Sequence, residues 1–280
     1  MSTQPQGGKG EHSAAGKAGD AVWAVIPARY ASTRFPGKPL VAIAGKPMIQ
    51  HTYERTASTP GIARVLVATD DTRIADAVAA FGGEAVRTGD HPTGTDRIAE
   101  AVRLEVAAGA AAPGWVLNVQ GDEPLIDPGD LETLVRGMRA HPDCPMGTLI
   151  HPLSGLEEFR DPNVVKVALD TSGRALYFSR AAIPHPRDQE GPGAHGWRHL
   201  GVYMYRLDFL ERFGALPPTP LSALEQLEQL RALEHGYEIR CFEAKAMGVG
   251  VDVPADVARV EKLLGISPDR KGQSGPQKPE

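Results

Sequence analysis

Three cations stand close together in "AVIPARYASTRFPGKPL" (residues 24–40): Arg29, Arg34 and Lys38, with no acid among them. A guanidinium grips phosphate oxygens bidentately, and an ammonium adds a point charge. Gly37 permits close backbone approach to a ligand. The pattern suits a loop that wraps a polyphosphate; a solvated basic turn is the plain alternative. It is not a P-loop, because Gly45-Lys46 is followed by Pro47 where Ser or Thr would be needed, and no dinucleotide fingerprint occurs. Two further stretches carry acids. "NVQGDEPLI" sets Asp122 and Glu123 just past an apolar run, and "MGVGVDVPADV" sets Asp252 before a proline. Mg²⁺ is commonly held by one or two carboxylates plus substrate phosphates, which makes Asp122 and Asp252 a candidate metal pair. Taken singly, Asp122 also reads as a turn residue and Asp252 as a helix N-cap.

These groups need elements to position them. "AVWAVIPA", "RVLVATD", "EAVRT" and "WVLNVQGDEP" read as strands. Between them, "PMIQHTYERTAS", "DTRIADAVAAFGG" and "GTDRIAEAVRLEVAAG" read as helices, the last capped near Thr95 or Asp96, and "PGDLETLVRGMRAHP" follows as another. Such alternation predicts an α/β fold with a mostly parallel sheet covered on both faces. Ligands of such sheets bind beyond the carboxyl ends of the strands. Three of those ends are polar here: Arg29 to Lys38, Thr69 and Asp70, and Gln120 to Glu123. One crevice is expected to collect them.

The second half changes rhythm. "VVKVALDTSGRALYFSR" predicts a hairpin around a Thr-Ser-Gly turn, and "HLGVYMYR" a strand. Leucines at 221, 224, 227, 230 and 233 predict one continuous helix whose stripe is core or a subunit contact. "YEIRCFEA" reads as a strand and "ADVARVEKLLG" as a closing helix. The expected organisation is one domain over 22–265 with a small antiparallel insert around 164–205. Tails at 1–21 and 266–280 are too polar and Gly-rich to order themselves.

The chain has 280 residues and a formal net charge of -5, which does not favour a nucleic-acid partner. No apolar run is long enough to insert in a membrane, and no secretory signal is seen. Cys144 and Cys241 lack metal or redox spacing and are expected to be reduced core residues of a cytoplasmic protein.

Together the motifs form a pattern. "IPARYASTRFPGKPL", "GKPMI", "VATD", "GTDR", "NVQGDEP", "NVVKV", "ALYFSRAAIP", "RHLGVYMYR", "LEQLEQLRAL" and "GVGVDVPADV" occur in order from Val22 to about Leu264. In this the chain resembles the 3-deoxy-manno-octulosonate (Kdo) cytidylyltransferases. The resemblance implies a nucleotidyltransferase that joins CTP and Kdo, with Mg²⁺, to give CMP-Kdo and pyrophosphate for lipopolysaccharide synthesis. It implies a nucleotide-diphospho-sugar transferase-like fold and a homodimer. By position, Arg29, Arg34 and Lys38 match the triphosphate loop, with Arg34, Lys38 and Asp122 catalytic. Ala68, Thr69, Arg97 and Gln120 match the residues around cytosine and ribose, and Asp122 and Asp252 the metal pair. Arg180, His199, Tyr203, Glu228 and Gln229 fall in the segments that contact the sugar acid. Arg180 is the first candidate cation for its carboxylate, His199 the second. Met204 stands where the family strand commonly has glycine. Strand alternation turns it away from His199 and Tyr203; otherwise the sugar pocket is altered and a modified Kdo becomes the acceptor. A sialic-acid cytidylyltransferase and a non-catalytic nucleotide-binding module are the other readings.

Overall fold

The computed structural model describes residues 19–31, 35–187 and 196–265. Arg34 and nearly all of both expected tails lie outside the described residues.

The first half alternates as its periodicity predicts. β1 (Val22–Ala28) leads through a short ribbon, β2 (Ala42–Ile43) and β3 (Lys46–Pro47), into α1 (Met48–Ala57). β4 (Ile62–Thr69), α2 (Thr72–Ala80), β5 (Ala85–Arg87), α3 (Gly94–Ala107), β6 (Trp115–Asn118) and α4 (Pro128–Arg139) follow. Then come β7 (Met146–Pro152), α5 (Leu156–Arg160), the hairpin β8 (Lys166–Leu169) and β9 (Ala175–Ser179), and the long β10 (Trp197–Arg206). α6 (Leu207–Ala215), α7 (Pro220–Glu225), α8 (Gln229–Glu234), β11 (Ile239–Glu243) and α9 (Pro254–Leu263) complete it.

The main sheet runs β11-β7-β10-β6-β1-β4-β5. β1 pairs in parallel with β4 and β6, and β10 pairs antiparallel with β6 and β7. β10 is thus the reversed strand in a mostly parallel sheet. β8 joins β10 through Trp197 and Arg198, which adds the hairpin to the same sheet.

Alternate residues of each strand feed the two faces. Val22, Ala24 and Ile26 of β1 pack on one side with Leu131, Leu134 and Met138 of α4. Trp23 and Val25 pack on the other with Ile98 and Val102 of α3 and Phe209 and Phe213 of α6. Burying each such side chain contributes about 1.5–3 kcal/mol. In β10, Leu200, Val202 and Met204 face the α4 side and Tyr203 and Tyr205 the α6 side. Met204 is therefore a fully buried core residue pointing away from Tyr203.

The structure revises several local expectations. The cap of α3 is Thr93, whose hydroxyl accepts the Asp96 N–H. The leucine stripe is not one helix. Gln226 adopts φ 54, a left-handed turn that separates α7 from α8. Leu227 and Leu230 are core residues, while Leu224 is 80% exposed. β7 and α6 were not expected: Gly147 and Thr148 interrupt the apolar run of the former, whereas the latter carries Phe209, Leu210 and Phe213 at helical spacing, a legible signal that was missed.

Candidate active site

A cleft of about 270 Å³ opens at the carboxyl edge of β1 and β6. Arg29, Lys38, Arg97, Gln120, Asp122 and Asp252 all line it. Lys38 arrives there because of the residue before it. Gly37 has φ 71, its N–H donates to the Tyr30 carbonyl at 3.0 Å, and a short 3₁₀ turn begins at Lys38. The Lys38 ammonium then lies 2.8 Å from an Asp122 oxygen and 3.6 Å from an Asp252 oxygen.

The two acids are far apart in the chain, and backbone bonds bring them together. Val251 N–H donates to the Asp122 carbonyl at 2.9 Å. Asp256 accepts the Asp252 and Val253 N–H groups at 2.8 and 2.9 Å, fixing the turn into α9. Further back, the buried Asp130 accepts the Lys245 and Ala246 N–H groups at 2.7 and 3.0 Å. The loop bearing Asp252 is thus tied to both β6 and α4. Glu123 does not line the cleft. Burial, reinforced by the Asp122 charge, pushes its carboxyl up to about 7.

On the nucleotide side, the Gln120 amide donates to the Gly201 carbonyl at 3.1 Å, joining the β6 end to β10. Arg97 is buried in the cleft wall and donates to Thr88, the Gly89 carbonyl and Asp70. Asp70 therefore serves the cleft by holding Arg97. Ala68 and Thr69 are fully buried at the end of β4 and do not line the cleft, and the Thr69 hydroxyl accepts the Asp71 N–H. The expected crevice thus gathers two of the three polar strand ends directly and the third through Arg97.

The sugar-side candidates form a contiguous group. The His199 ring packs between Phe178 and Tyr203, with centroids 5.1 and 5.3 Å away, and meets the Thr148 hydroxyl at 3.1 Å. Burial, then the neighbouring Arg198 charge, lowers its pKa to about 3. His199 is thus neutral near pH 7 and does not serve as the second cation. Arg180 is held by carbonyls of Glu225, Pro162 and Gln226. Among the described residues its guanidinium forms no ion pair. Lys166 of "NVVKV" supports this corner, donating to the carbonyls of Asp161, Val164 and Arg180 at 2.6–2.7 Å. Glu228 and Gln229 sit at the break between α7 and α8 rather than on a plain solvated face. Glu228 receives the Thr95 hydroxyl, and burial raises its pKa. Gln229 is 3% exposed, and its amide nitrogen has no partner among the described residues.

Residues 23–239 match the family model described as cytidylyltransferase. The 3-deoxy-manno-octulosonate cytidylyltransferase of Syntrophotalea carbinolica is 55% identical over 87% of this chain and 98% of its own. That of Escherichia coli is 49% identical over 86% and 94%. The chain belongs to the 3-deoxy-manno-octulosonate cytidylyltransferase family. A solved CMP:2-keto-3-deoxy-manno-octonic acid synthetase in complex with CTP superposes with a TM-score of 0.81 at 47% identity, covering 88% of this chain and 99% of that one.

For a cytidylyltransferase, the cleft also contains residues that sequence reasoning missed. His91 and Pro92, from the loop before α3, line it together with Thr93 and Gly94. The His91 ring contacts Glu100 at 2.5 Å, and Glu100 also accepts the Gly89 N–H at 2.8 Å. The available signal was Thr93-x-x-Asp96, a capping pattern that starts the helix two or three residues earlier than Thr95 or Asp96 would.

Proposed function

We propose that this protein transfers the CMP group of CTP to a hydroxyl of Kdo, releasing pyrophosphate. The observation that carries the reading is the convergence of Lys38, Asp122 and Asp252 in a cleft that Gln120 joins to the strand of His199 and Tyr203. In this reaction type the sugar hydroxyl attacks the α-phosphorus and pyrophosphate leaves, so the protein's task is placement and charge neutralisation. Lys38 and Arg29 face the phosphates, with Arg34 assigned to the same loop by sequence. Arg97 and Gln120 hold the nucleoside side through fixed side chains.

The donor set fits Mg²⁺. Asp122 and Asp252 already share one cation, the Lys38 ammonium. Among the described residues no group of three or more His, Cys, Asp or Glu forms a metal site. Two carboxylates are the protein share of a site completed by water and phosphate oxygens. When bound, Mg²⁺ supplies positive charge to the phosphoryl oxygens and lowers the pKa of a coordinated hydroxyl.

The acceptor is a sugar acid. The Arg180 guanidinium is held by carbonyls and forms no direct ion pair among the described residues, although the nearby Glu225 carboxylate feels its charge, which leaves it able to meet a ligand carboxylate. The buried, unpartnered Gln229 amide is a donor with no acceptor of its own, as a polyhydroxy ligand would require. Met204 lies in the core, so it gives no reason to replace Kdo by a modified acceptor. We further infer a homodimer. Leu176 on β9 and Leu224 on α7 are 62% and 80% exposed, and Glu225 joins these two elements through Ser179 and the Arg180 N–H. Among the described residues no helix is long and apolar enough to cross a membrane.

The deciding experiment is pyrophosphate release from CTP and Mg²⁺ with either Kdo or sialic acid, with Asp122→Asn in parallel. Release with Kdo alone, abolished by the substitution, is expected. Release with sialic acid alone would overturn the sugar assignment and leave the phosphate half standing.

A further inference from the structure

Thr95 does not line the nucleotide cleft. Its neighbours in "TGTDR" have their own tasks: Thr93 caps α3, and Arg97 is held by Asp70 in the cleft wall. Yet Thr95 is only 3% exposed, and its hydroxyl donates at 2.9 Å to Oε2 of Glu228, across the molecule on another element. The other oxygen of Glu228, Oε1, accepts from Arg231 Nη2 at 3.2 Å. Arg231 is itself fixed, with its guanidinium carbon 4.4 Å from the centre of the Phe213 ring and a 3.4 Å bond to the Leu216 carbonyl. Both oxygens of this carboxylate are therefore anchored.

Despite those anchors, the Glu228 side chain keeps 36% of its surface accessible. An ionised carboxylate has about four lone-pair sites, and the bonds from Thr95 and Arg231, with the Thr93 hydroxyl also close by, occupy only part of them. The rest are held in a fixed direction. A carboxylate so oriented suits the hydroxyls of a polyol, which reward directed acceptors and not charge alone. Thr93 and Gly94 of the same α3 turn line the nucleotide cleft. The Thr95 bond thus ties the sugar-side turn before α8 to the helix that walls the nucleotide.

We propose that Thr95 is a positioning residue for the acceptor sugar: its hydroxyl fixes the Glu228 carboxylate so that the free lone pairs accept sugar hydroxyls. The inference rests on the Kdo reading of that site. Thr95→Val removes the hydroxyl with little change of shape, and Thr95→Ser keeps it. The assay is pyrophosphate release, varying Kdo at saturating CTP and then CTP at saturating Kdo. Thr95→Val should raise the KM for Kdo about tenfold, the scale of a hydrogen bond to a charged group. The KM for CTP and kcat should stay within about twofold, as for loss of uniform binding. Serine should restore the Kdo value. In a Glu228→Ala background, which removes the acceptor, Thr95→Val should add nothing. If the valine protein does not fold, Arg231→Gln frees the other oxygen and should raise the Kdo KM selectively in the same way.

An unchanged Kdo KM in Thr95→Val would overturn the positioning role. So would an equal rise in both KM values, or failure of serine to restore the Kdo value. Wild-type protein inactive with Kdo would instead overturn the substrate reading on which the role rests.

Discussion

Gly37→Ala tests how the phosphate loop is built. At φ 71 an L-residue enters the left-handed region at a cost of roughly 1–2 kcal/mol. A Cβ there would also stand 3.1 Å from two ring carbons and the hydroxyl oxygen of Tyr30, so the ring or the loop must shift by a few tenths of an ångström. The ring is not free to yield, because the Arg73 guanidinium stacks 3.3 Å from its centre and is itself bound to Asp71. The loop therefore moves, and Lys38 is the next residue. Its 2.8 Å contact with Asp122 depends on the backbone that Gly37 sets. Two effects should appear together. Unfolding stability should fall by about 1–2 kcal/mol, a melting shift of roughly 2–8 °C for a domain of this size. kcat/KM for CTP should fall by about tenfold to a hundredfold, since misplacement by about 1 Å can cost that much. The assays are thermal melting and pyrophosphate release at subsaturating CTP, with Gly45→Ala as control. Gly45 also has positive φ, at 78, but nothing lies within 4 Å of its added Cβ, so it should lose stability without losing rate. Equal rate losses in both variants would refute the claim that Gly37 acts by placing Lys38.

Asp252→Asn should lower kcat/KM by about a hundredfold or more, the scale of removing a preorganised charge from a phosphoryl site, and raise the Mg²⁺ concentration needed for half-maximal rate. His199 contributes to acid sensitivity. Its folded pKa of about 3 lies below the ordinary 6.5, so from pH 6.5 downward the unfolded chain gains a proton that the folded chain refuses, and stability falls. The loss should reach about 2 kcal/mol by pH 5 in urea titrations. Glu123, pushed up to about 7, acts with the opposite sign. The readout is therefore the pH dependence of the difference between wild type and His199→Gln, and a flat difference would refute the assignment. Leu224→Glu should shift the mass measured by light scattering from dimer to monomer at micromolar concentration, and an unchanged mass would remove α7 from the interface.

The sequence was most informative where local rules and chemistry coincide. Parallel strands buried on both faces leave runs such as "VWAVIPA", and helices such as α4 carry their own start signals in Asp127 and Pro128. Site residues at strand ends were legible for the same reason, because position and polarity are both visible in one dimension. What stayed hidden depends on contacts between distant segments. Nothing in "GVGVDV" reveals that Val251 will bond to the Asp122 carbonyl, or that Asp130 will hold Lys245 and Ala246. Thr69 has the right polarity and place for a ligand contact, yet its hydroxyl is used by the backbone two residues on. His199 has the right type for a cation, but its burial against Phe178 and Tyr203 removes the charge. The break at Gln226 is invisible to leucine spacing, because a single left-handed residue leaves the periodicity intact on both sides.

The reversed strand explains why one edge of the sheet can host two substrates. In a parallel sheet the ligand edge is where strands end. β10 runs the other way, and its register sets Tyr203 opposite Asn118 and Arg206 opposite Trp115. Residues before Tyr203 therefore extend past the last residue of β6 to the edge where Gln120 and Asp122 lie. That extension is real, since the Gln120 amide reaches the Gly201 carbonyl. Had β10 run parallel to β6, Arg206 and the start of α6 would stand at this edge, and His199 would lie at the far side of the sheet. Reversal thus places the beginning of "RHLGVYMYR" beside the end of "WVLNVQGD". Strand alternation then sends Tyr203 toward α6 and Met204 into the opposite core. The sugar-side residues gather on the face that also holds α3 and α8, which is why a threonine of the nucleotide helix comes within hydrogen-bond distance of Glu228.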